Sequence, residues 1–280
     1  MQRASLPERR ATAWHELGEV YTREKEHDLA FEAHAEAGRE RAKTPQAQRV
    51  ARANWRAHAD MVRALPDTLL GGKPSASSQR PRPAFLIGFP RSGTTMLEQV
   101  LAAHPEIVTT DERRFLFLIR DRYERRFPMG ATLAEKLAAI DAPTRERLRA
   151  DYFAAVAAAL PAATRALVLV DKLPLNLVDL PWIRAIFPDA RVLVALRDPR
   201  DACLSCCMQD FVLNEGMIEL LTLEGAARFY ADVMSIWLGL RDRIGLSWLE
   251  VRYEDTVQDL EAAARRVLAF LAVSWDERVL

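Results

Sequence analysis

Phe85-Leu86-Ile87-Gly88-Phe89-Pro90-Arg91-Ser92-Gly93-Thr94-Thr95-Met96-Leu97 is the stretch that decides the fold. Phe85 to Ile87 is a short apolar run of the kind that forms a buried strand, and the cluster of Gly88, Pro90, Ser92 and Gly93 reads as a turn. From Thr94 the pattern predicts a helix toward Ala103, stopped by His104-Pro105, because a residue before proline is driven out of the helical region. Strand, glycine loop and helix start, in that order, make an anion cradle. Gly88 and Gly93 let the backbone turn tightly, so that successive N–H groups converge while the helix dipole adds positive charge. Ser92, Thr94 and Thr95 supply hydroxyl donors, and Arg91 supplies a guanidinium that grips two oxygens at once. Pro90, Arg91, Ser92, Gly93, Thr94 and Thr95 are thus the candidate phosphate-binding residues. A plain surface loop is the bland alternative; the buried strand and helix start on either side of the glycines argue against it.

The spacing Gly88-x-x-x-x-Gly93 matches the opening of a Walker A loop, which continues with Lys and then Ser or Thr. Here Thr94 stands at the lysine position and the cation comes earlier, at Arg91. Without the lysine that reaches the terminal phosphates, a nucleotide kinase or NTPase is disfavoured.

Composition narrows the field. The chain of 280 residues is half apolar, enough for one α/β core plus a helical appendage, and its 39 basic and 39 acidic residues cancel. No global field favours nucleic acid or an anionic membrane, so any anion site must be built locally. No run approaches about 18 apolar residues and the N-terminus is charged from Arg3, so neither a membrane span nor a signal peptide is expected. Cys203, Cys206 and Cys207 crowd one expected helix, a spacing that makes neither a disulfide framework nor a closed zinc tetrahedron. Buried thiols in a reducing cytoplasm are expected, and no metal-ligand set is read.

Residues 1–65 are rich in Ala, Glu and Arg and are expected to be helical. Trp14, Leu17, Gly18 and Tyr21, then Ala30 and Ala37, resemble the tetratricopeptide pattern, with His34 standing where an aromatic residue is usual. One repeat cannot bury its own apolar face, so these helices are expected to pack on the next domain, on a partner chain or another copy, or on further repeats. An amphipathic helix pair without a partner role is the plain alternative. Residues 66–83, with Gly71-Gly72, Ser75, Ser77-Ser78 and several prolines, read as a linker. From residue 84 to 280 the pattern is α/β: apolar runs at 166–170, 191–196 and 247–251 alternate with helical stretches at 133–160, 180–187, 201–211 and 223–244. That alternation predicts a P-loop-like, doubly wound parallel sheet flanked by helices, with ligands at the carboxyl ends of the strands.

Three further motifs fall at such ends. In Val170-Asp171-Lys172-Leu173-Pro174 a lysine emerges from a buried strand; its alternative is a surface cation paired with Asp171 or Asp179. In Leu196-Arg197-Asp198-Pro199-Arg200-Asp201-Ala202-Cys203-Leu204-Ser205 an arginine fork is followed by a hydroxyl on the next helix, a set suited to a phosphate dianion. Helix capping by Asp198 or Asp201 is the structural alternative there. His104-Pro105-Glu106-Ile107-Val108-Thr109-Thr110-Asp111-Glu112-Arg113-Arg114 places an acidic pair after the loop helix, in what would otherwise be a charged, solvated turn.

Together these motifs resemble the PAPS-dependent sulfotransferases (PAPS, 3′-phosphoadenosine-5′-phosphosulfate), especially tyrosylprotein sulfotransferases and bacterial proteins that join tetratricopeptide repeats to such a domain. The resemblance covers roughly residues 84–280. It implies in-line transfer of a sulfonate from PAPS to an acceptor hydroxyl, leaving PAP, with no metal required. By the resemblance Glu112 is the general base, with Asp111 the preceding acid; Arg91 neutralises the leaving phosphate and Lys172 contacts the transferred group. Arg197 and Ser205 take the 3′-phosphate, and Tyr253 joins the nucleotide contacts. The acceptor can be a protein tyrosine, a carbohydrate or a small phenol. The Leu268-Ala269-Phe270-Leu271 to Ser274-Trp275 stretch resembles a family helix end beyond which relatives continue with a further catalytic segment, so a domain lacking that segment is expected. An inactive PAPS-fold binding protein and a P-loop kinase-like enzyme are the alternative functions.

Overall fold

The computed structural model describes residues 5–72 and 81–280. Its centre is one wholly parallel sheet of β1 (Arg82–Gly88), β2 (Ile107–Thr109), β3 (Val168–Lys172), β4 (Arg191–Leu196) and β5 (Ser247–Arg252). The spatial order is β2-β3-β1-β4-β5. Before β1 lie α1 (Leu6–Arg23), α2 (His27–Ala42), α3 (Pro45–Arg49), α4 (Trp55–Arg63) and α5 (Asp67–Leu70). Between β1 and β2 runs α6 (Thr94–Ala102); between β2 and β3 come α7 (Phe115–Glu124), α8 (Leu133–Ala138) and α9 (Ala142–Ala159). Then α10 (Leu180–Ile186) precedes β4, and α11 (Pro199–Cys207) and α12 (Leu223–Leu240) precede β5. The chain closes with α13 (Tyr253–Gln258) and α14 (Leu260–Leu271). Among the described residues no helix is long and apolar enough to cross a membrane.

The four apolar runs expected to be strands form β1, β3, β4 and β5. The edge strand β2 is only three residues long, too short for a pattern of its own. The single helix expected over 133–160 is two, because Asp141 accepts a hydrogen bond from the Thr144 amide and Pro143 sits in the first turn of α9. The expected linker of 66–83 falls partly outside the described residues, at 73–80. Its first part carries α5, whose Leu70 is buried and whose Leu70 and Gly71 carbonyls accept from the Arg184 guanidinium.

The chain packs as two compact units, Met1–Ala57 with Asp198–Val233, and His58–Arg197 with Met234–Leu280. In the first, α1 and α2 are joined by a three-residue turn, and Gly18 of α1 leaves space for the His34 ring of α2. Cys203 and Cys206 are buried on α11, and all three cysteines are free thiols. Burial, with Cys203 nearby, pushes the Cys207 thiol up to about 11.

The second unit contains the sheet, and strand alternation divides its core in two. Ala84 and Leu86 join Leu97 and Leu101 of α6 and Val267, Leu268 and Leu271 of α14. Phe85 turns the other way, its ring 5.4 Å from that of Phe187, which lies 4.9 Å from Tyr152. The parallel register sets Phe85 beside Asp171 and Leu86 beside Lys172, so these two charged neighbours leave the sheet on opposite faces. Asp171 is buried; its Oδ2 accepts from the Tyr152 hydroxyl at 2.7 Å and its Oδ1 from the Asn176 amide at 3.2 Å. Burial raises its pKa to about 7, against the opposing pull of those two hydrogen bonds and one from Thr110.

A native carboxyl raised from 3.8 to about 7 retains a proton that the unfolded chain has released, so its contribution makes stability fall as pH rises through that window. Asp171→Asn should flatten the loss of stability between about pH 4 and 7, read by urea unfolding at a series of pH values. An unchanged slope would mean that Asp171 is ionised throughout.

Candidate active site

The strand order places the glycine loop at the centre of the sheet. The connection leaving β1 runs toward the β2 edge, whereas those leaving β3 and β4 run toward β5, the arrangement that opens a crevice at carboxyl ends. Gly88 ends β1 opposite Ala195 of β4, and a Cβ on it would lie 2.5 Å from the Ala195 carbonyl oxygen. Gly93 has φ +88°, and a Cβ there would meet the Tyr253 ring at 2.7 Å. Glycine is required at both positions, at one by close backbone approach and at the other also by left-handed geometry. Gly93 is also the N-cap of α6 and brings no capping side chain, so the first-turn amides stay available to an anion. Pro90, Ser92 and Thr94 are buried, and Arg91 and Thr95 are exposed.

From the neighbouring strand ends come the charged groups. Lys172, 2% exposed, ends β3 and points to the α6 face. Its Nζ lies 2.9 Å from Glu98 Oε2 of α6 and 2.7 Å from Glu112 Oε1. Burial by itself pulls the ammonium down, but hydrogen bonds and charge from Glu112 and Glu98 outweigh it and hold the pKa above the ordinary lysine value. Lys172 is therefore a permanent cation held between two carboxylates. The alternative pairing with Asp171 or Asp179 is not realised: Asp171 lies on the opposite face, and Asp179 pairs with Arg120.

The segment carrying Glu112 is laced to β3. The Thr110 amide donates to the Val170 carbonyl, the Lys172 amide to Thr110 Oγ1, and the Glu112 amide to the Lys172 carbonyl. The Asp111 amide donates to Glu98 Oε1 at 3.1 Å. Asp111 and Glu112 are forced to φ +48° and +59°, and Arg91 to +66°. Three of the five non-glycine residues with positive φ among those described thus lie at this site. Each costs on the order of 1–2 kcal/mol, and such strain persists where surrounding bonds over-determine the backbone. Buried His104 anchors the start of the segment: its Nδ1 accepts from the Glu106 amide and its Nε2 donates to the Ser274 carbonyl at 3.0 Å.

On the other side of the loop, the Arg197 guanidinium donates to the Arg91 carbonyl at 3.1 Å and stacks 4.6 Å from the Tyr253 ring centroid. Arg91, Lys172, Glu112, Arg197 and Tyr253 all belong to the sheet-bearing unit. Ser205 lies on α11 in the other unit, half-buried, on a helix capped by Asp198, which accepts from the Arg200 amide. The Arg200 guanidinium and amide hold the Asp198 carboxyl well below its usual range. Glu98 is the one member that the motifs do not single out. Its signal in the sequence is a carboxylate on an apolar helix face, between Leu97 and Val100.

The profile of the sulfotransferase family matches residues 83–277, about two thirds of the chain and all but the first residue of its parallel sheet. The chain belongs to the sulfotransferase family. Nodulation protein NoeE of Sinorhizobium fredii is 35% identical over 129 residues, 44% of this chain and 30% of NoeE. Protein-tyrosine sulfotransferase A of Caenorhabditis elegans is 24% identical over 200 residues, 70% of this chain and 51% of that protein. A solved sulfotransferase domain from the Synechococcus PCC 7002 olefin synthase is 22% identical, covering 75% of this chain and 80% of that one with a TM-score of 0.47. This sulfotransferase-family chain spans about a third to a half of the length of the curated relatives it matches.

Removing one partner of a buried ion pair leaves an uncompensated charge. Lys172→Met should therefore destabilise the fold by about 3–5 kcal/mol, and adding Glu98→Gln should return most of the loss. Urea unfolding of the two single variants and the double variant reads the coupling; strictly additive effects would contradict the pairing.

Proposed function

We propose that this chain is a PAPS-dependent sulfotransferase that moves a sulfonate to an acceptor hydroxyl, with Glu112 as general base. The observation that carries the reading is the Lys172 ammonium held at a strand end between Glu98 and Glu112, beside a glycine loop with uncapped helix amides. The buried Ser92 and Thr94, the constrained Gly93 and the exposed Arg91 suit a phosphate, so the donor fits the residues present. When bound, PAPS supplies a sulfonate on a phosphate leaving group: the acceptor oxygen bonds to sulfur as the sulfur–oxygen bridge to the 5′-phosphate breaks.

The chain's own residues do the rest. The Glu112 side chain is 52% exposed, so its carboxylate is open to an incoming hydroxyl while one oxygen is held by Lys172. It takes the acceptor's proton as the oxygen attacks. Lys172, charged across the accessible pH range, stabilises negative charge on the moving group, and Arg91 offsets the charge that accumulates on the leaving phosphate. Pro90, Ser92, Gly93, Thr94 and Thr95 hold the 5′-phosphate. Arg197 takes the 3′-phosphate, and the Tyr253 ring joins the nucleotide contacts. These cations do the work of charge neutralisation, so the transfer step calls for no metal. A tyrosyl peptide is the first acceptor to test, since relatives that align with 70% of this chain are named protein-tyrosine sulfotransferases.

Glu112→Gln keeps size and leaves Lys172 paired with Glu98, while removing proton affinity. It should retain PAP binding and lose about 10²–10⁴-fold in turnover with labelled PAPS and a tyrosyl peptide or phenol. Turnover at the wild-type rate with chemistry limiting would remove Glu112 from the base role and turn attention to Asp111.

A further inference from the structure

The unit formed by Met1–Ala57 with Asp198–Val233 holds a polar cluster that the transfer chemistry does not use. His15 and Glu19 are four residues apart on α1 and so share one face of that helix. His34 reaches toward them from α2, its Nε2 3.9 Å from Glu19 Oε1 and its ring centroid 5.3 Å from that of His15. One ligand atom from each of the three lies within 4.8 Å of the others.

His34 is the unusual member. It is 2% exposed, and neither of its ring nitrogens has a hydrogen-bond partner. Buried polar groups are almost always satisfied, so an orphaned imidazole points to a ligand of another kind. The ring packs against Gly18, where a Cβ would come within 2.7 Å of it. The separations are too long for hydrogen bonds within the trio. They approach the edge of a zinc tetrahedron, about 3.4 Å for bonds near 2.1 Å, and small side-chain rotations of His15 and Glu19 close the difference.

We infer that His15, Glu19 and His34 form a binding site for a divalent transition-metal ion, zinc(II) by its ligand chemistry, that clips α1 to α2. Two imidazoles and one carboxylate are a usual zinc set with a fourth position left over. His15 and His34 also line a cavity in this unit. This site stands apart from the sulfonate-transfer reading and survives or fails independently of it.

The test uses the full chain, made without a histidine tag, stripped of metal and titrated with zinc chloride. Calorimetry should give one equivalent bound, and cobalt(II) should develop visible ligand-field absorption that zinc displaces. His15→Ala and Glu19→Gln alter positions at the edge of the cluster and should keep the wild-type circular dichroism while weakening zinc binding on the order of 100-fold each. No zinc retained by the wild type would overturn the site. So would one equivalent bound equally by wild type and both variants, which would locate the ion elsewhere, with Cys203, Cys206 and Cys207 the first place to look.

Discussion

The arrangement at the sheet's carboxyl edge depends on a lysine ammonium taken out of water. Lys172 is buried at the end of β3, and its charge is compensated by Glu98 from the loop helix and Glu112 from the segment after β2. A lone ammonium there would cost several kcal/mol, a penalty that the adjoining carboxylates offset. The same two acids fix the backbone around them. Glu98 accepts the Asp111 amide, and the Lys172 carbonyl accepts the Glu112 amide, which keeps two consecutive residues left-handed. One cation thus ties together α6, β3 and the segment that presents Glu112.

Strand alternation makes this possible. Because Asp171 and Lys172 are neighbours in a strand, they project to opposite faces, and each is neutralised there by different means. Asp171, among aromatic rings, tends to hold its proton; Lys172, among carboxylates, holds its charge. The cradle for the anion follows the same economy: Gly88 permits close approach of β1 and β4, and Gly93 permits approach of Tyr253, which in turn stacks on Arg197. Backbone strain at Arg91, Asp111 and Glu112 is concentrated where the chemistry is proposed.

Much of this was legible in the chain. The apolar run, glycine spacing and proline stop around Phe85–Pro105 define β1, the loop and α6, because each signal is local. Lys172 and Arg197 were legible as strand-end residues for the same reason. Glu98 was not, since its role depends on packing of α6 against β3, and a lone acid in a helix ordinarily faces water. The edge strand β2 escaped because three residues carry no period. His34 stood out only as a departure from a tetratricopeptide-like pattern; its meaning depends on its partners His15 and Glu19, which the turn between α1 and α2 brings alongside it.

The central claim is that the β1 loop and its neighbouring cations hold a nucleotide carrying two separate phosphates without the help of a metal ion. Calorimetry of the full chain with PAP and with AMP, each with and without magnesium, tests it most directly. The account predicts that PAP binds at least about ten-fold more tightly than AMP, a difference of roughly 1.4 kcal/mol, and that magnesium changes neither affinity. Equal affinity for the two nucleotides, or binding that appears only with magnesium, would contradict it.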